Sequence, residues 1–156
     1  MSQIALRLAE LGIVLPTPVT PIANYLPYAR VGNMLVVSGQ LPLGPDGKLA
    51  PAHTGKLGPD SSIDDAREAA RLCAINILAQ AKAAIGDLDS IGQVVRLGGF
   101  FSVAASFDPL PQAMNGASDL MASLFGARGR HARTTVGVTH LPLNAMAEVE
   151  ALFEVA

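Results

Sequence analysis

The sequence predicts an α+β domain of two layers, in which two long helices pack beside a mixed β-sheet. Apolar residues recur every three or four positions in two separate stretches, near 63–84 and 110–124, which is the pattern of amphipathic helices. Short runs rich in valine and other apolar residues lie before, between and after these stretches and are typical of strands. The resulting order, strands–helix–strand–helix–strand–strand, lacks the regular alternation of a parallel βαβ protein.

The N-terminal region predicts a short docking helix followed by an extended connector. Ile4, Leu8 and Leu11 are at helical spacing, and Gly12 follows as a stop signal. Three prolines in residues 15–21 then exclude a helix. We therefore expect residues 1–14 to form a helical extension of a single domain that spans 1–156.

A buried strand is predicted next, where the run from Met34 to Ser38 is closed by Gly39 and Gln40. Apolar and β-branched residues ending in Ser-Gly indicate a strand that stops at a special backbone position.

The first long helix has clear signals at both ends. Ser62 with Asp65 three residues later resembles a capping box, and Gly86 is a typical helix stop. Cys73 lies on the apolar stripe, so we interpret it as a small core residue rather than a nucleophile. The whole stripe consists of Ile63, Ala66, Ala70, Cys73, Ile77, Ala81 and Ala84.

A second strand and a second long helix follow. Residues 94–103 form the strand, and the paired Gly98 and Gly99 suggest a bulge or a close approach by another backbone. Asp108-Pro109 is predicted to cap the helix, which Gly126 ends. Gly116 within it costs roughly 1 kcal/mol relative to alanine. The helical stripe comprises Leu110, Met114, Ala117, Met121 and Leu124.

The last quarter of the chain predicts a strand hairpin made of residues 133–138 and 147–153. Because strand side chains alternate between faces, Arg133 and Thr135 share one face of the first strand. In the second strand Glu148 and Glu150 point away from the apolar face. An apolar back and an Arg/Glu front describe either a wet surface or a polar pocket.

Composition limits the classes of protein that the chain can belong to. Charged residues make up 15%, below the roughly 25% of typical soluble domains, so we expect a homo-oligomer that hides surface. The net charge of −2 gives no general attraction to nucleic acid. One cysteine, the lack of a signal peptide and the lack of a membrane-spanning run predict a cytoplasmic protein.

Motifs for nucleotide and metal chemistry are missing from the sequence. It contains no GxGxxG and no GxxxxGK[ST], and its three histidines have no ligand spacing, so we expect no nucleotide phosphate site and no metal. Arg128 and Arg130 are interpreted as a solvated loop rather than an RNA contact.

Two side chains in the last quarter have alternative interpretations. The guanidinium fork of Arg133 could hold a small carboxylate, or it could form a structural salt bridge with a glutamate. Glu148 and Glu150 could raise one another's pKa for proton transfer, or they could form a solvated sheet edge.

Several motifs together resemble the RidA/YjgF family, also called the endoribonuclease L-PSP family, whose fold is chorismate mutase-like. The resemblance extends from about Asn24 to Phe153. The N-terminal helix, a long loop before the first long helix and the GARGRHAR stretch resemble a longer bacterial subgroup. The matching motifs are Gly32-Asn33-Met34, Val37-Ser38-Gly39-Gln40, Ala132-Arg133, Leu141-Pro142 and Glu148-Val149-Glu150-Ala151.

The resemblance implies a homotrimer with sheets facing inward, helices outside and three sites between subunits. It also implies hydrolysis of enamine/imine intermediates such as 2-aminoacrylate to a 2-keto acid and ammonia, without a cofactor. This is the activity of a 2-iminobutanoate/2-iminopropanoate deaminase. Two alternatives stay open: a non-catalytic trimer that binds a small carboxylate metabolite, and an endoribonuclease or translation inhibitor.

The same resemblance assigns roles to individual residues. Arg133 matches the arginine that grips the substrate carboxylate, and Glu148 matches the glutamate that positions or activates water. Thr135 stands where the typical enzyme has cysteine, and the resemblance implies that this position contributes its backbone carbonyl. The remaining substrate-binding positions are Tyr25, Ser38, Gly39 and Asn115.

Overall fold

The protein is a two-layer α+β domain, described by a computed structural model for residues 2–104 and 106–156. This confirms the fold class predicted from the sequence. The helices are α1 (Gln3–Glu10), α2 (Ile63–Ile85) and α3 (Leu110–Phe125). The strands are β1 (Tyr28–Val31), β2 (Met34–Gln40), β3 (Ile91–Ser102), β4 (Ala132–Val138) and β5 (Ala147–Val155).

The sheet formed by the described residues has the strand order β1-β2-β5-β3-β4. β3 and β4 pair in parallel, and the other neighbours are antiparallel. The register of β2 against β5 shifts between Val37 and Gln40. A bulge therefore lies at Ser38-Gly39, where the sequence predicted a special backbone position.

The predicted hairpin of the last two strands is wrong. β4 is an edge strand that pairs with β3, and β3 lies between β4 and β5. The connection through residues 139–146 carries the chain past β3 instead of turning it back on β4. A consequence is that Arg133 and Glu148 are not on neighbouring strands.

The two long helices cover one face of the sheet, and the predicted end signal of α2 is confirmed. The Ser62 hydroxyl accepts a hydrogen bond from the Asp65 backbone N–H at 3.1 Å, and Gly86 is the C-cap. The stripe of α2 is buried except for its ends, since Ile63 is exposed and Ala84 is half-buried.

The predicted cap of α3 is wrong. The residue directly before α3 is Pro109, which makes no side-chain cap hydrogen bond. Asp108 lies one position too early to cap.

Glycine at position 116 allows α2 and α3 to pack closely. A Cβ at Gly116 would lie 2.7 Å from the carbonyl carbon of Arg67 and 3.0 Å from its Cα. The backbones of the two helices therefore meet at this residue, which explains a glycine inside a helix.

The N-terminal helix is attached to the domain through Asp89. The Asp89 carboxylate accepts hydrogen bonds from the backbone N–H of Gln3 at 2.7 Å and of Ile4 at 2.8 Å. These bonds lower the pKa of Asp89, with that from Ile4 as the largest cause. Ile4 and Leu8 are buried as predicted, whereas Leu11 is exposed because Ile13 takes the next buried position. No helix of the described ranges is long and apolar enough to cross a membrane.

Candidate functional site

The predicted site residues lie on both faces of the sheet. Arg133 pairs in register with Leu97, and Thr135 pairs with Gly99, whose Cβ would contact Met114 of α3. Their side of β4 is therefore the helix-covered face. Glu148 pairs with Phe100, and Glu150 pairs with Gly98, on the opposite, open face. The expected shared front of arginine and glutamate is thus incorrect for a single copy of the chain.

The guanidinium of Arg133 is held by α3. Its Nη1 donates to Asn115 Oδ1 at 2.8 Å and to Ser118 Oγ at 3.1 Å. Its Nη2 donates to the Pro111 carbonyl at 3.1 Å. Three hydrogen bonds to one helix fix the orientation of a side chain that is otherwise flexible.

Arg133 has no carboxylate partner in the described part of the chain. The ion pairs there join Arg7 to Glu10, Arg67 to Asp119, Arg71 to Glu68 and Arg96 to Glu150. The alternative of a structural salt bridge within one copy is therefore wrong. Of the five N–H groups of a guanidinium, the three bonds leave Nε–H and one Nη2–H without a described partner. These adjacent donors can bind a carboxylate bidentately.

Glu148 differs from its neighbour Glu150 in charge environment. Glu150 pairs with Arg96 at 3.0 Å, whereas no described cation pairs with Glu148. Partial burial raises the pKa of Glu148, and the negative charge of Glu150 raises it further. The raised pKa makes Glu148 a stronger proton acceptor than an ordinary glutamate.

Glu148, Gly39 and Tyr25 line one cavity of about 380 Å³. A Cβ on Gly39 would contact Glu148 Oε1 and would lie 2.9 Å from its Cδ. Glycine at the β2 bulge therefore leaves the space that the carboxylate occupies. Tyr25 comes from the bends that precede β1, and the residue is 51% exposed. The apolar part of the lining comes largely from Val19, Ile22, Leu41, Leu43 and Leu143.

Ser38 supports this cavity rather than lining it. Its hydroxyl donates to the Leu26 carbonyl at 2.7 Å, which ties β2 to the segment that carries Tyr25. The hydroxyl of Ser38 is thus used within the protein, where it holds the segment before β1 against the end of β2.

Arg133 lines a second cavity, of about 350 Å³, together with Ser118 and His131. Asn115 reaches this region through its hydrogen bond to Arg133. Thr135 follows on the same face, and its buried hydroxyl oxygen has no hydrogen-bond partner among the described residues. The structure thus divides the predicted residues into two groups. Tyr25, Gly39 and Glu148 form what we call the glutamate half-site. Arg133, Asn115 and Thr135 form the arginine half-site.

Sequence reasoning missed three residues of these half-sites. Leu143 lines the glutamate cavity from a turn in which its φ is +57°, an uncommon value for a residue other than glycine. Ser118 and His131 contact one another beside Arg133. Helical spacing from Asn115 could have indicated Ser118, but no local signal connects it to His131.

The fold and the two half-sites define a class: an α+β protein of chorismate mutase-like architecture with an arginine and a glutamate on opposite faces of its sheet. Comparison with known proteins gives the family. The YjgF/chorismate mutase-like family, whose description also names a candidate endoribonuclease, matches residues 5–155. The chain therefore belongs to this family, the RidA/YjgF family that its motifs resemble.

Individual relatives are similar over almost the whole chain. Protein TCP17 of Trypanosoma cruzi is 44% identical over 153 residues, covering 97% of this chain and 94% of that protein. The crystal structure of protein Atu1372, of unknown function, from Agrobacterium tumefaciens is 46% identical with a TM-score of 0.90, covering 99% and 93% of the two chains. A Shewanella oneidensis protein named as a candidate endoribonuclease is 38% identical with a TM-score of 0.93, covering 99% and 100%.

Proposed function

We propose that this protein hydrolyses reactive 2-imino acids and their enamine tautomers, of the 2-aminoacrylate type, to 2-keto acids and ammonia. The observation that carries the proposal is the guanidinium of Arg133, which is fixed by α3 and keeps two adjacent donors free. A small planar carboxylate fits such a fork.

Glu148 supplies the second function that the reaction needs. The imine carbon is already electrophilic, so the protein must mainly position water and move one proton. The Glu148 carboxylate accepts a proton as water adds to the C=N bond. Glu148 passes this proton to the imine nitrogen, which gives a neutral carbinolamine. The carboxylate then transfers the hydroxyl proton of the carbinolamine to the same nitrogen, and the C–N bond breaks to release ammonia as the C=O bond forms. The raised pKa of Glu148 brings its proton affinity closer to that required at neutral pH.

We further propose that the two half-sites of neighbouring copies combine in a homotrimer. β3 lies between β5 and β4, so these two strands are about 10 Å apart, Arg133 is displaced along β4 from the position opposite Glu148, and the two side chains point to opposite faces of the sheet. One small substrate cannot touch both in a single copy. The open sheet face also exposes apolar side chains such as Val36 and Val136, which a neighbouring subunit would cover.

Subunit complementation tests the activity and the shared site together. Arg133→Ala and Glu148→Gln, each purified alone, are expected to lose nearly all 2-iminopropanoate hydrolysis measured as pyruvate or ammonia release. Co-expressed in equal amounts, they form some interfaces with an intact Arg133 and an intact Glu148. Random mixing restores roughly one quarter of the wild-type rate per subunit.

The results separate the competing interpretations. Wild-type turnover no faster than buffer refutes the deaminase activity. Calorimetric binding of 2-keto acids without turnover of any imine would instead support a carboxylate-binding protein. Absence of any restored activity in a confirmed mixed oligomer would refute the shared site.

A further inference from the structure

A serine and a histidine form a hydrogen-bond chain behind Arg133. His131 Nε2 lies 2.9 Å from Ser118 Oγ, and His131 Nδ1 lies 2.6 Å from the Gly129 carbonyl oxygen. Ser118 Oγ is the same atom that accepts a hydrogen bond from Arg133 Nη1. The chain thus runs from a backbone carbonyl through an imidazole and a hydroxyl to the guanidinium.

For a neutral imidazole, the chemistry of these groups fixes the direction of each hydrogen bond in the chain. A carbonyl oxygen only accepts, so the Nδ1 of His131 carries the hydrogen that is donated to Gly129. In the neutral ring Nε2 is then an acceptor, and the Ser118 hydroxyl donates to it. The lone pairs of Ser118 Oγ are left facing Arg133, which can only donate.

The histidine end of the chain is anchored on both sides. Gly129 packs against α3, where a Cβ would lie 2.7 Å from the carbonyl carbon of Met121. The Arg130 carbonyl accepts from Gln93 Nε2 at 2.6 Å. The backbone around Gly129 therefore holds the imidazole in place, and the imidazole in turn fixes the orientation of the Ser118 hydroxyl.

We propose that His131 is a positioning residue for Arg133 that acts through the Ser118 hydroxyl. Ser118 holds Nη1 on the helix side, so that the free Nε–H and Nη2–H remain directed at the ligand. Without the imidazole acceptor, the Ser118 hydroxyl would turn to a helix carbonyl one turn back and its lone pairs would leave Arg133. The inference rests on the proposed function in that the ligand of Arg133 is the substrate carboxylate.

The nearby acidic group does not offer Arg133 an alternative partner. Asp119 lines the same cavity, but its carboxylate forms an ion pair with Arg67 at 3.1 Å. Because Asp119 is paired with Arg67, the link between His131 and Arg133 runs through the hydroxyl of Ser118.

The test compares four variants with the wild-type protein: Ser118→Ala, Ser118→Thr, His131→Ala and the double variant Ser118→Ala/His131→Ala. Calorimetry gives the Kd for pyruvate, and hydrolysis of 2-iminopropanoate gives KM and kcat. Ser123→Ala is the matched control, because it is the same change at an exposed serine of the same helix.

Ser118→Ala is expected to raise Kd and KM about tenfold, the usual effect of losing one hydrogen bond to a charged group, with little change in kcat. Ser118→Thr retains the hydroxyl and should stay near wild type, as should Ser123→Ala. His131→Ala is expected to weaken binding several-fold. The double variant should bind no more weakly than Ser118→Ala, because His131 acts through the hydroxyl that is already missing.

Two outcomes overturn the proposal. One is pyruvate binding by Ser118→Ala that equals wild type. The other is a double variant whose loss is the product of the two single losses, which would mean that His131 acts independently. If Arg133→Ala abolishes both pyruvate binding and 2-iminopropanoate hydrolysis while Ser118→Ala changes neither, the proposed function stands and this inference fails.

A second measurement does not depend on ligand or turnover. Imidazole ¹⁵N NMR of the wild-type protein should show the Nδ1–H tautomer of His131, with an Nε2 signal that shifts in Ser118→Ala. An Nε2–H tautomer in the neutral wild-type ring contradicts the direction of the chain even if the proposed function is refuted.

Discussion

Gly39→Ala should remove activity while leaving the fold almost intact. The added methyl group would contact Glu148 Oε1 and lie 2.9 Å from Cδ and 3.1 Å from Cγ. Carbon atoms attract best at about 3.5–4.0 Å, so the carboxyl carbon must move by at least roughly 0.6 Å and the oxygen by more. Gly39 has an ordinary φ, so alanine causes no backbone strain at this position.

The effects of Gly39→Ala on activity and on stability differ in size because the group that has to move is the Glu148 side chain. Glu148 is the end of a flexible side chain, and a forced rotamer costs only about 0.5–1.5 kcal/mol. Misplacing a reacting group by about 1 Å can cost about 100-fold in rate. We therefore expect kcat/KM for 2-iminopropanoate to fall by about two orders of magnitude and Tm to fall by only a few degrees.

Gly116→Ala is the matched comparison, because the same methyl group meets a rigid obstacle. The backbone of Arg67 in α2 must move, at an overpacking cost near the upper end of the ~1–3 kcal/mol range. Alanine recovers roughly 1 kcal/mol of helix propensity. A net loss of about 2 kcal/mol lowers Tm by roughly 4–8 °C in a domain of this size.

Thermal unfolding measures the loss of stability in both variants, and a coupled hydrolysis assay measures the loss of activity. The reasoning is refuted if Gly39→Ala keeps full kcat/KM, or if it lowers Tm as much as Gly116→Ala does. Crystal structures of the Gly39→Ala variant should show the Glu148 carboxylate displaced from its wild-type position.

Three further outcomes are expected. Because the pKa of Glu148 is raised, wild-type stability falls as pH rises through that pKa. Glu148→Gln should therefore raise Tm near neutral pH and not at acid pH, as thermal melts across pH will show. Because the pKa of Asp89 is lowered, its hydrogen bonds stabilise the attachment of α1 above the ordinary carboxyl range, and this stabilisation is lost as pH falls through the lowered pKa. Asp89→Ala should cause the same loss at neutral pH, measured as faster hydrogen exchange at the amides of Gln3 and Ile4. Burial, and then the charge of Glu148, raise the pKa of Cys73, so iodoacetamide should label this thiol only in denaturant, and mass spectrometry showing fast native labelling would contradict its burial.

The helices and the irregular backbone position at Ser38-Gly39 could be predicted because their signals are local, whereas the bulge suggested at Gly98-Gly99 is wrong, since the register shifts of β3 against β5 lie between Ile91 and Arg96. Ser62 caps the start of α2 by accepting from the Asp65 N–H, and Gly86 caps its end by donating to the Lys82 carbonyl. The Ser38-Gly39 pair indicates an irregular position in β2, which is where the register against β5 shifts. Such contacts depend on short-range geometry that the sequence displays directly.

Strand pairing could not be predicted because it joins distant residues. The two-residue period shows that Arg133 and Thr135 share a face, but it does not show which layer that face meets. In most strands the apolar residues face the helices and the polar residues face outward. β4 does the opposite, since Val136 is 40% exposed on the open face while Arg133 is half-buried against α3. Reading polar residues as the outer face therefore placed Arg133 beside Glu148 when the sheet separates them.

The separation of Arg133 and Glu148 by the sheet has a consequence for how the protein responds to its own concentration. If each complete site is shared as proposed, association creates the catalytic unit and dilution dismantles it. Specific activity would then fall below the dissociation constant of the assembly, even though every polypeptide stays folded. A cell could in this way lower the rate per molecule simply by making less of the protein.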